Sequence, residues 1–238
     1  MRRRAFVAGG IAGGGGLEAP AVLRAQARTF HSQKASYRLV TLASGLEQPW
    51  SIAFLPDGRL LITQRPRRLR VLANRKLEPQ PLAGVPEVRA RGQGGLLDVC
   101  LHPAFARNGV LYLSLAAPVA DGALTRVVRA RWGEGGLADV TPIFDATPAG
   151  SGGNHFGSRI AFDRAGLMYV TCGERYQMQR AQRLDDLGGK IVRLRDDGSV
   201  PPDNPFVGRR DARPEIFTYG HRNPQGLAMH PDTGRLWS

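Results

Sequence analysis

One sequence unit recurs four times along this chain, and it constrains the fold more than any other feature. Each copy has a short apolar run, a turn rich in Pro, Asp, Asn or Gly, and a second apolar run, which is typical of a β-hairpin. The copies span residues 52–63, 99–113, 160–171 and 227–237. One position in the unit is always small and recurs at intervals of 47, 61 and 67 residues. It is filled by Ala53, Cys100, Ala161 and Ala228.

Repeats of this length with a hairpin in every copy favour β-propeller blades, with a generic all-β sandwich as the alternative. Further apolar runs, at 69–72, 124–131 and 190–194, would complete four-stranded blades. At about 60 residues per blade, a six-bladed ring needs on the order of 350 residues. The sequence therefore predicts an all-β, six-bladed β-propeller, present here only as an N-terminal portion of about four blades. An open four-bladed structure is the other possibility.

Composition excludes several classes of protein. Of the 238 residues, 42% are hydrophobic and 22% are charged, as expected for a globular protein with a core. No uninterrupted apolar run reaches about 18–20 residues, so we expect no membrane insertion. The formal net charge is +13, but the basic residues are scattered. The charge therefore gives little support to a nucleic-acid partner, which we do not expect, and suits an anionic cofactor or simple solubility.

The first 27 residues are typical of an export signal rather than of a fold. Three arginines at 2–4 precede a short, weakly apolar Gly/Ala stretch, and Ala-Gln-Ala at 25–27 resembles a cleavage site. The paired arginines and the Phe-Val that follows resemble a twin-arginine signal. We therefore predict a signal peptide of this type over 1–27, an incomplete propeller domain over 28–238, and a periplasmic or secreted location.

The chain has two cysteines, Cys100 and Cys172, and their spacing is not that of metal ligands. An exported protein is permitted a disulfide. Pairing of the two and a pair of buried free thiols both remain open.

Three polar loops precede the inner strands of successive hairpins. They occupy residues 92–97, 152–159 and 219–227. In a propeller such loops meet at the mouth of the central channel, where rigid scaffolds commonly hold ligands. The sequence therefore predicts one shared pocket. Its candidate residues are Gln93, Asn154, His155, Arg222, Asn223 and Gln225.

These residue types suggest proton transfer and the binding of an anion. His155 is the natural general base, because histidine exchanges a proton near neutral pH. Arg222 offers a fixed fork of donors for a carboxylate or a developing oxyanion. Gln93 and Asn223 can orient carbonyl or hydroxyl groups. Glu174, at the end of the next strand, can orient the base, bind substrate hydroxyls or be a solvated charge.

Each of these residues also has an ordinary structural explanation. Gln93 can cap a turn, His155 can be a buried histidine with its hydrogen bonds satisfied, and Arg222 can pair with Glu215. The recurrence of polar loops at equivalent blade positions favours a shared functional pocket. The chain has no Ser-His-Asp arrangement, no P-loop and no dinucleotide Gly-x-Gly-x-x-Gly motif after a strand.

Five motifs, in order, resemble the soluble aldose sugar dehydrogenases. These are the quinoprotein glucose/sorbosone dehydrogenases that use pyrroloquinoline quinone (PQQ), and the resemblance extends from about Leu39 to the last residue. Any one motif is modest, but five in the same order are specific. The motifs lie at 92–97, 153–159, 187–194, 202–206 and 219–226.

The resemblance implies a six-bladed propeller with the quinone lying across the channel mouth. It also implies that His155 takes the proton of the anomeric hydroxyl while a hydride passes to the quinone. Gln93, Arg222 and Asn223 match residues that hold the quinone and polarise its reactive carbonyl, so Arg222 counts as both catalytic and cofactor-binding.

The remaining site residues are assigned from the same resemblance. Asn154 precedes the base, where the glucose dehydrogenase branch often has Asp, which implies a broader range of sugars. Asn154 and Gln225 are expected to contact the cofactor. Glu174 falls where the family places an acid near the base, and we expect it to contact the substrate.

The family also binds Ca²⁺ against the quinone, where it acts as a Lewis acid. Its protein ligands, largely backbone carbonyls, come from a loop that would follow Ser238, so no metal ligand is assigned and the chain as given is expected to hold only about half of the site. The sequence therefore predicts a PQQ- and Ca²⁺-dependent enzyme that oxidises aldose sugars to lactones and passes electrons to an external acceptor. The alternatives are a propeller hydrolase of the lactonase type and a non-enzymatic carbohydrate-binding propeller.

Overall fold

Short apolar runs bounded by turn residues form strands throughout the part of the chain that this computed structural model describes, residues 28–133 and 135–238. The predicted signal peptide lies outside these residues. Residues 28–41 belong to a separate small unit with one hairpin, formed by β1 (Thr29–His31) and β2 (Ser36–Arg38). No helix among the described residues is long and apolar enough to cross a membrane.

The larger unit contains three antiparallel four-stranded sheets, each with its strands in chain order. The first has β3 (Pro49–Phe54), β4 (Leu60–Gln64), β5 (Arg68–Ala73) and β6 (Lys76–Leu77). The second has β7 (Leu96–Leu101), β8 (Val110–Val119), β9 (Gly122–Gly133) and β10 (Gly136–Asp145). The third has β11 (Ile160–Phe162), β12 (Met168–Cys172), β13 (Lys190–Leu194) and β14 (Ile216–Tyr219).

A fourth sheet has two strands, β15 (Ala228–Met229) and β16 (Leu236–Trp237). The only helices among the described residues are α1 (Phe105–Asn108) and a 3₁₀ helix at Met178–Gln182. The four hairpins of the repeat are therefore β3–β4, β7–β8, β11–β12 and β15–β16. The inner strand of each sheet packs against the inner strand of the next. This arrangement confirms the predicted fold class, an all-β propeller present in part, and not the sandwich.

Strand β8 shows why these sheets stack as blades. Its residues alternate between two hydrophobic clusters: Leu111 and Leu113 face the first sheet, and Val110 and Tyr112 face the third. Because a strand presents successive side chains to opposite faces, a strand buried on both sides reads as a continuous apolar run. The first eight residues of β8 are all buried.

A buried carboxylate ties the inner strands together. Asp98 of β7 accepts hydrogen bonds from the Ser51 hydroxyl (2.5 Å), the Ile160 backbone N–H (2.7 Å) and the Arg159 guanidinium (3.0 Å). Arg159 also donates to the backbone carbonyl of Gln225 (3.0 Å), before the fourth sheet. Burial raises the pKa of Asp98, an effect that Arg159 and Ser51 oppose. This network fixes the four inner strands, and therefore the loops that lead into them.

The two cysteines are free thiols. Burial raises the pKa of both Cys100 and Cys172 to about 12. Of the two possibilities that the sequence left open, the structure has the unpaired one.

Candidate active site

The three polar loops meet through the side chain of Gln93. Its Oε1 accepts hydrogen bonds from the His155 backbone N–H (2.9 Å) and from Asn223 Nδ2 (3.5 Å). Asn223 Oδ1 in turn accepts from the Gly157 backbone N–H (2.9 Å). The Gln93 backbone N–H donates to Gly153 O (2.7 Å). Hydrogen bonds of Gln93 and Asn223 therefore connect all three loops and hold them together.

Glycines let these backbones approach each other closely. A Cβ on Gly173 would lie 2.1 Å from His155 O, and one on Gly157, where φ is +63°, would lie 2.7 Å from Thr171 O. A Cβ on Gly92 would lie 2.5 Å from Gly153 O. No side chain fits such gaps, which explains why the polar motifs are rich in glycine.

His155 and Glu174 form a buried pair at the centre of the loops. His155 Nδ1 lies 2.5 Å from Glu174 Oε1, and the two side chains are 4% and 1% exposed. Because the carboxylate engages Nδ1, Nε2 is the imidazole nitrogen left to exchange a proton with a ligand. The second carboxylate oxygen, Glu174 Oε2, has no hydrogen-bond partner in the described part of the chain.

Arg222 presents a guanidinium without a carboxylate partner. Its backbone carbonyl accepts from the Glu174 N–H (2.9 Å), which places the residue beside the pair. Its side chain is exposed and forms no salt bridge within 28–133 and 135–238. Glu215, the partner that the sequence suggested, binds Arg213 at 2.7 Å instead. The Arg222 cation is therefore available to an anionic ligand.

Asn154 and Gln225 lie at the edge of this network. Asn154 is half-buried, and its backbone carbonyl accepts from Arg175 Nε (2.9 Å). Gln225 is exposed and contributes its backbone carbonyl to Arg159. The structure thus links Gln93, His155 and Asn223 directly and leaves the Asn154 and Gln225 side chains peripheral.

Sequence reasoning missed Arg175, which anchors the loop that carries His155. Its guanidinium donates to the backbone carbonyls of Ala123 (2.5 Å) and Gly152 and lies 3.7 Å from the centre of the Phe156 ring. Burial lowers the pKa of Arg175 to about 10. The one available signal was its position directly after Glu174.

The lysine of the third motif has a structural role that sequence reasoning did not assign. Lys190 is fully buried, and its ammonium donates to the backbone carbonyls of Gly188 (2.6 Å), Arg180 (2.8 Å) and Ala181 (3.3 Å). Burial lowers the pKa of Lys190 to about 8. Lys190 therefore ties β13 to the 3₁₀ helix.

A concavity elsewhere in the molecule lacks comparable chemistry. It has a volume of about 390 Å³, a mostly apolar lining that includes Leu115 and Val140, and no residue in common with the polar loops. Its arginine, Arg126, is paired with Asp145 at 2.6 Å. We therefore place the candidate active site at the polar loops.

Several known proteins similar to this chain carry dehydrogenase names. Residues 46–238 match the family described as Glucose / Sorbosone dehydrogenase. Aldose sugar dehydrogenase YliI of Escherichia coli (strain K12) is 45% identical over 207 residues, a match that covers 85% of this chain and 56% of the relative. The chain thus spans little more than half the length of that relative.

Solved structures give the same result. A crystal structure of glucose dehydrogenase is 50% identical, with a TM-score of 0.81, over 83% of this chain and 59% of the other. The PQQ-bound form of aldose sugar dehydrogenase from Streptomyces coelicolor is 35% identical, with a TM-score of 0.72, over 83% of this chain and 57% of the other.

Proposed function

The chain belongs to the glucose/sorbosone dehydrogenase family, and on that premise we propose that the protein oxidises aldose sugars at the anomeric carbon to lactones, with PQQ as its cofactor. The observation that carries the proposal is the buried His155–Glu174 pair. It lies where three loops joined by Gln93 and Asn223 converge. Similar proteins include a PQQ-bound aldose sugar dehydrogenase.

His155 is the general base of the proposed reaction. Its Nε2 accepts the proton of the anomeric hydroxyl as the C1–O single bond becomes a carbonyl. Glu174 holds the imidazole through Nδ1 and stabilises the imidazolium that forms, as a carboxylate does for a catalytic histidine. This location, 2.5 Å from Nδ1, favours orientation of the base over binding of substrate hydroxyls for Glu174.

PQQ, when bound, supplies the acceptor for the hydride that leaves C1. The residues present fit such a group, a quinone with several carboxylates. Arg222 is an exposed cation without a carboxylate partner among the described residues. Gln93 Nε2 donates no hydrogen bond within the described part, and Asn223 Nδ2 makes only a long one. Gln93 and Asn223 would donate to the quinone oxygens, and Arg222 would bind a carboxylate and stabilise developing negative charge.

Further parts of the proposal follow from the family resemblance. Asn154 and Gln225 would contact the cofactor from the edge of the site, and Ca²⁺ would act as its Lewis acid. Within 28–133 and 135–238 no group of three or more His, Cys, Asp or Glu is placed to hold a metal, so we assign no calcium ligand. An external acceptor would reoxidise the quinone, and residues 1–27 would direct export to the periplasm.

The proposed function is tested by aldose-dependent reduction of a redox dye. The purified protein is assayed with PQQ and Ca²⁺, with each omitted in turn, and with a non-reducing sugar in place of the aldose. We expect dye reduction that requires the aldose, PQQ and Ca²⁺. Lactone hydrolysis without dye reduction would support the hydrolase instead, and sugar binding without either reaction would support the carbohydrate-binding propeller.

A further inference from the structure

The proposed base is covered by an exposed aromatic ring. His155 is only 3% exposed, although a general base must reach its substrate. The ring of Tyr176 lies 4.0 Å from the imidazole, centre to centre, at an angle of 31°. Tyr176 itself is 60% exposed. Its ring therefore separates the imidazole from solvent without being part of the core.

The backbone of Tyr176 is held in an unfavourable conformation to place this ring. Arg175 and Tyr176 both have a φ of 59°. This is the left-handed backbone region, which residues other than Gly, Asn and Asp rarely adopt. Arg175 is fixed there by the carbonyls of Ala123, Asn154 and Gly152. With Arg175 anchored inward, the chain turns Tyr176 outward over His155. Strain of this kind persists where the surrounding contacts enforce it, and it is common at functional sites.

Two groups contact the imidazole at different places. Glu174 Oε1 holds Nδ1, and the Tyr176 ring covers a face of the imidazole. The Arg222 guanidinium carbon lies 5.8 Å from the centre of the Tyr176 ring, so the tyrosine stands beside both proposed catalytic groups. Two contacts at different parts of the ring fix its plane better than the carboxylate alone.

We propose that Tyr176 is a positioning residue for His155: its ring fixes the plane of the imidazole against Glu174 and limits the access of water to that pair. The consequence for turnover rests on the proposed function, whereas the shielding does not. The ring, and not the phenolic hydroxyl, carries this role, because no hydrogen bond of the Tyr176 hydroxyl is found in the described part of the chain.

Chemical labelling of the cofactor-free protein tests the shielding. Diethyl pyrocarbonate acylates accessible, unprotonated imidazoles, and peptide mass spectrometry gives the rate at His155 relative to N-acetylhistidine in the same reaction. Tyr176→Gly removes the ring and suits a φ of 59°, so this variant should fold. Tyr176→Phe keeps the ring. Met178→Ala is the matched control, because Met178 lies two residues away and is 75% exposed.

We expect the labelling rate at His155 to rise at least tenfold in Tyr176→Gly and to stay within about twofold of wild type in the other two variants. The far-downfield proton resonance of the Nδ1–Glu174 hydrogen bond should broaden in Tyr176→Gly alone, because water then exchanges with it. Wild-type labelling in Tyr176→Gly, or fast labelling in Tyr176→Phe, would overturn the proposal.

Turnover of the PQQ-loaded protein separates the two proposals. Tyr176→Gly should lower kcat at least tenfold with a smaller change in KM. Tyr176→Phe should keep kcat close to that of the wild type. An unchanged kcat in Tyr176→Gly would overturn the positioning role. If the wild type oxidises no aldose, the proposed function fails, while labelling and the proton resonance still decide what Tyr176 does to His155.

Discussion

The two ends of the sheets differ in what fixes their backbone. At the turn end, where the hairpins reverse, Gly58, Gly166 and Gly234 have φ values of +86°, +81° and +66°, and a Cβ on any of them would meet nothing within 4 Å. At the site end, where the polar loops meet, a Cβ on Gly157 or Gly173 would collide with another segment of backbone. Local geometry thus dictates glycine at the turn end, and packing between distant segments dictates it at the site end.

Charged groups show the same contrast. The Asp57–Arg59 ion pair at the turn end joins residues two apart, and its side chains are 50% and 39% exposed. The His155–Glu174 pair at the site end is almost fully buried. Solvent screens the first pair, so it contributes little to stability, whereas the second pair depends on the loops that enclose it. The site end is therefore the part of the molecule where a single change has distant consequences.

Among the changes that compare the two ends, replacing the carboxylate at the site end should have the largest effect. In Glu174→Gln the amide keeps the shape but no longer stabilises an imidazolium at His155. We expect kcat to fall by about 10²–10⁴-fold, as for the loss of general acid–base assistance. Steady-state dye reduction measures it, with Asp57→Asn at the turn end as the control. Comparable losses in the two variants would show that the two ends do not differ.

Adding one methyl group at each end tests the backbone comparison directly. In Gly173→Ala the new Cβ would lie 2.1 Å from His155 O, so a segment of backbone must move. We expect the free energy of unfolding to fall by about 3 kcal/mol or more. In Gly166→Ala the Cβ meets no atom within 4 Å, but φ is +81°. We therefore expect the free energy of unfolding to fall by only about 1–2 kcal/mol. Urea unfolding of both variants measures these losses, and equal values would contradict the comparison.

The structure of the turn end could be predicted from the sequence better than that of the site end. The turn residues of each hairpin act on their own neighbours, so the four hairpins and the inner strands were predictable. That Gln93, His155 and Asn223 lie together was predictable, because their loops recur at equivalent positions. Arg175 and Tyr176 were missed because their roles depend on contacts with other loops. The Arg175 carbonyl partners, for example, lie up to 52 residues away in sequence.

Lys190, a buried lysine at the site end, should make the stability of the protein depend on pH. Burial lowers the pKa of Lys190 from 10.5 to about 8. Between these values the unfolded chain holds a proton that the folded chain has lost, so this group makes stability rise with pH. We expect a rise of about 1 kcal/mol per pH unit between pH 8 and 10. It should appear as the difference between wild type and Lys190→Met in urea unfolding, and parallel pH profiles would contradict it.

The two ends should not differ in the reactivity of their thiols. Cys172 lies at the site end, and Cys100 lies nearer the turn end in β7. Burial raises the pKa of each to about 12, and the thiolate is the reactive form. We expect no labelling by a thiol reagent in the native protein at pH 8 and two labels after unfolding. Rapid native labelling of Cys172 alone would show that the site end is open to solvent.

The most direct test of the proposed base is His155→Ala in the PQQ-loaded protein. The quinone is bound by other groups in this proposal, so a titration followed by absorbance should give an affinity close to that of wild type. Aldose-dependent dye reduction should be abolished, because no other residue at the convergence of the loops is assigned the proton of the anomeric hydroxyl. Retained turnover in His155→Ala with bound quinone would contradict the central role of His155.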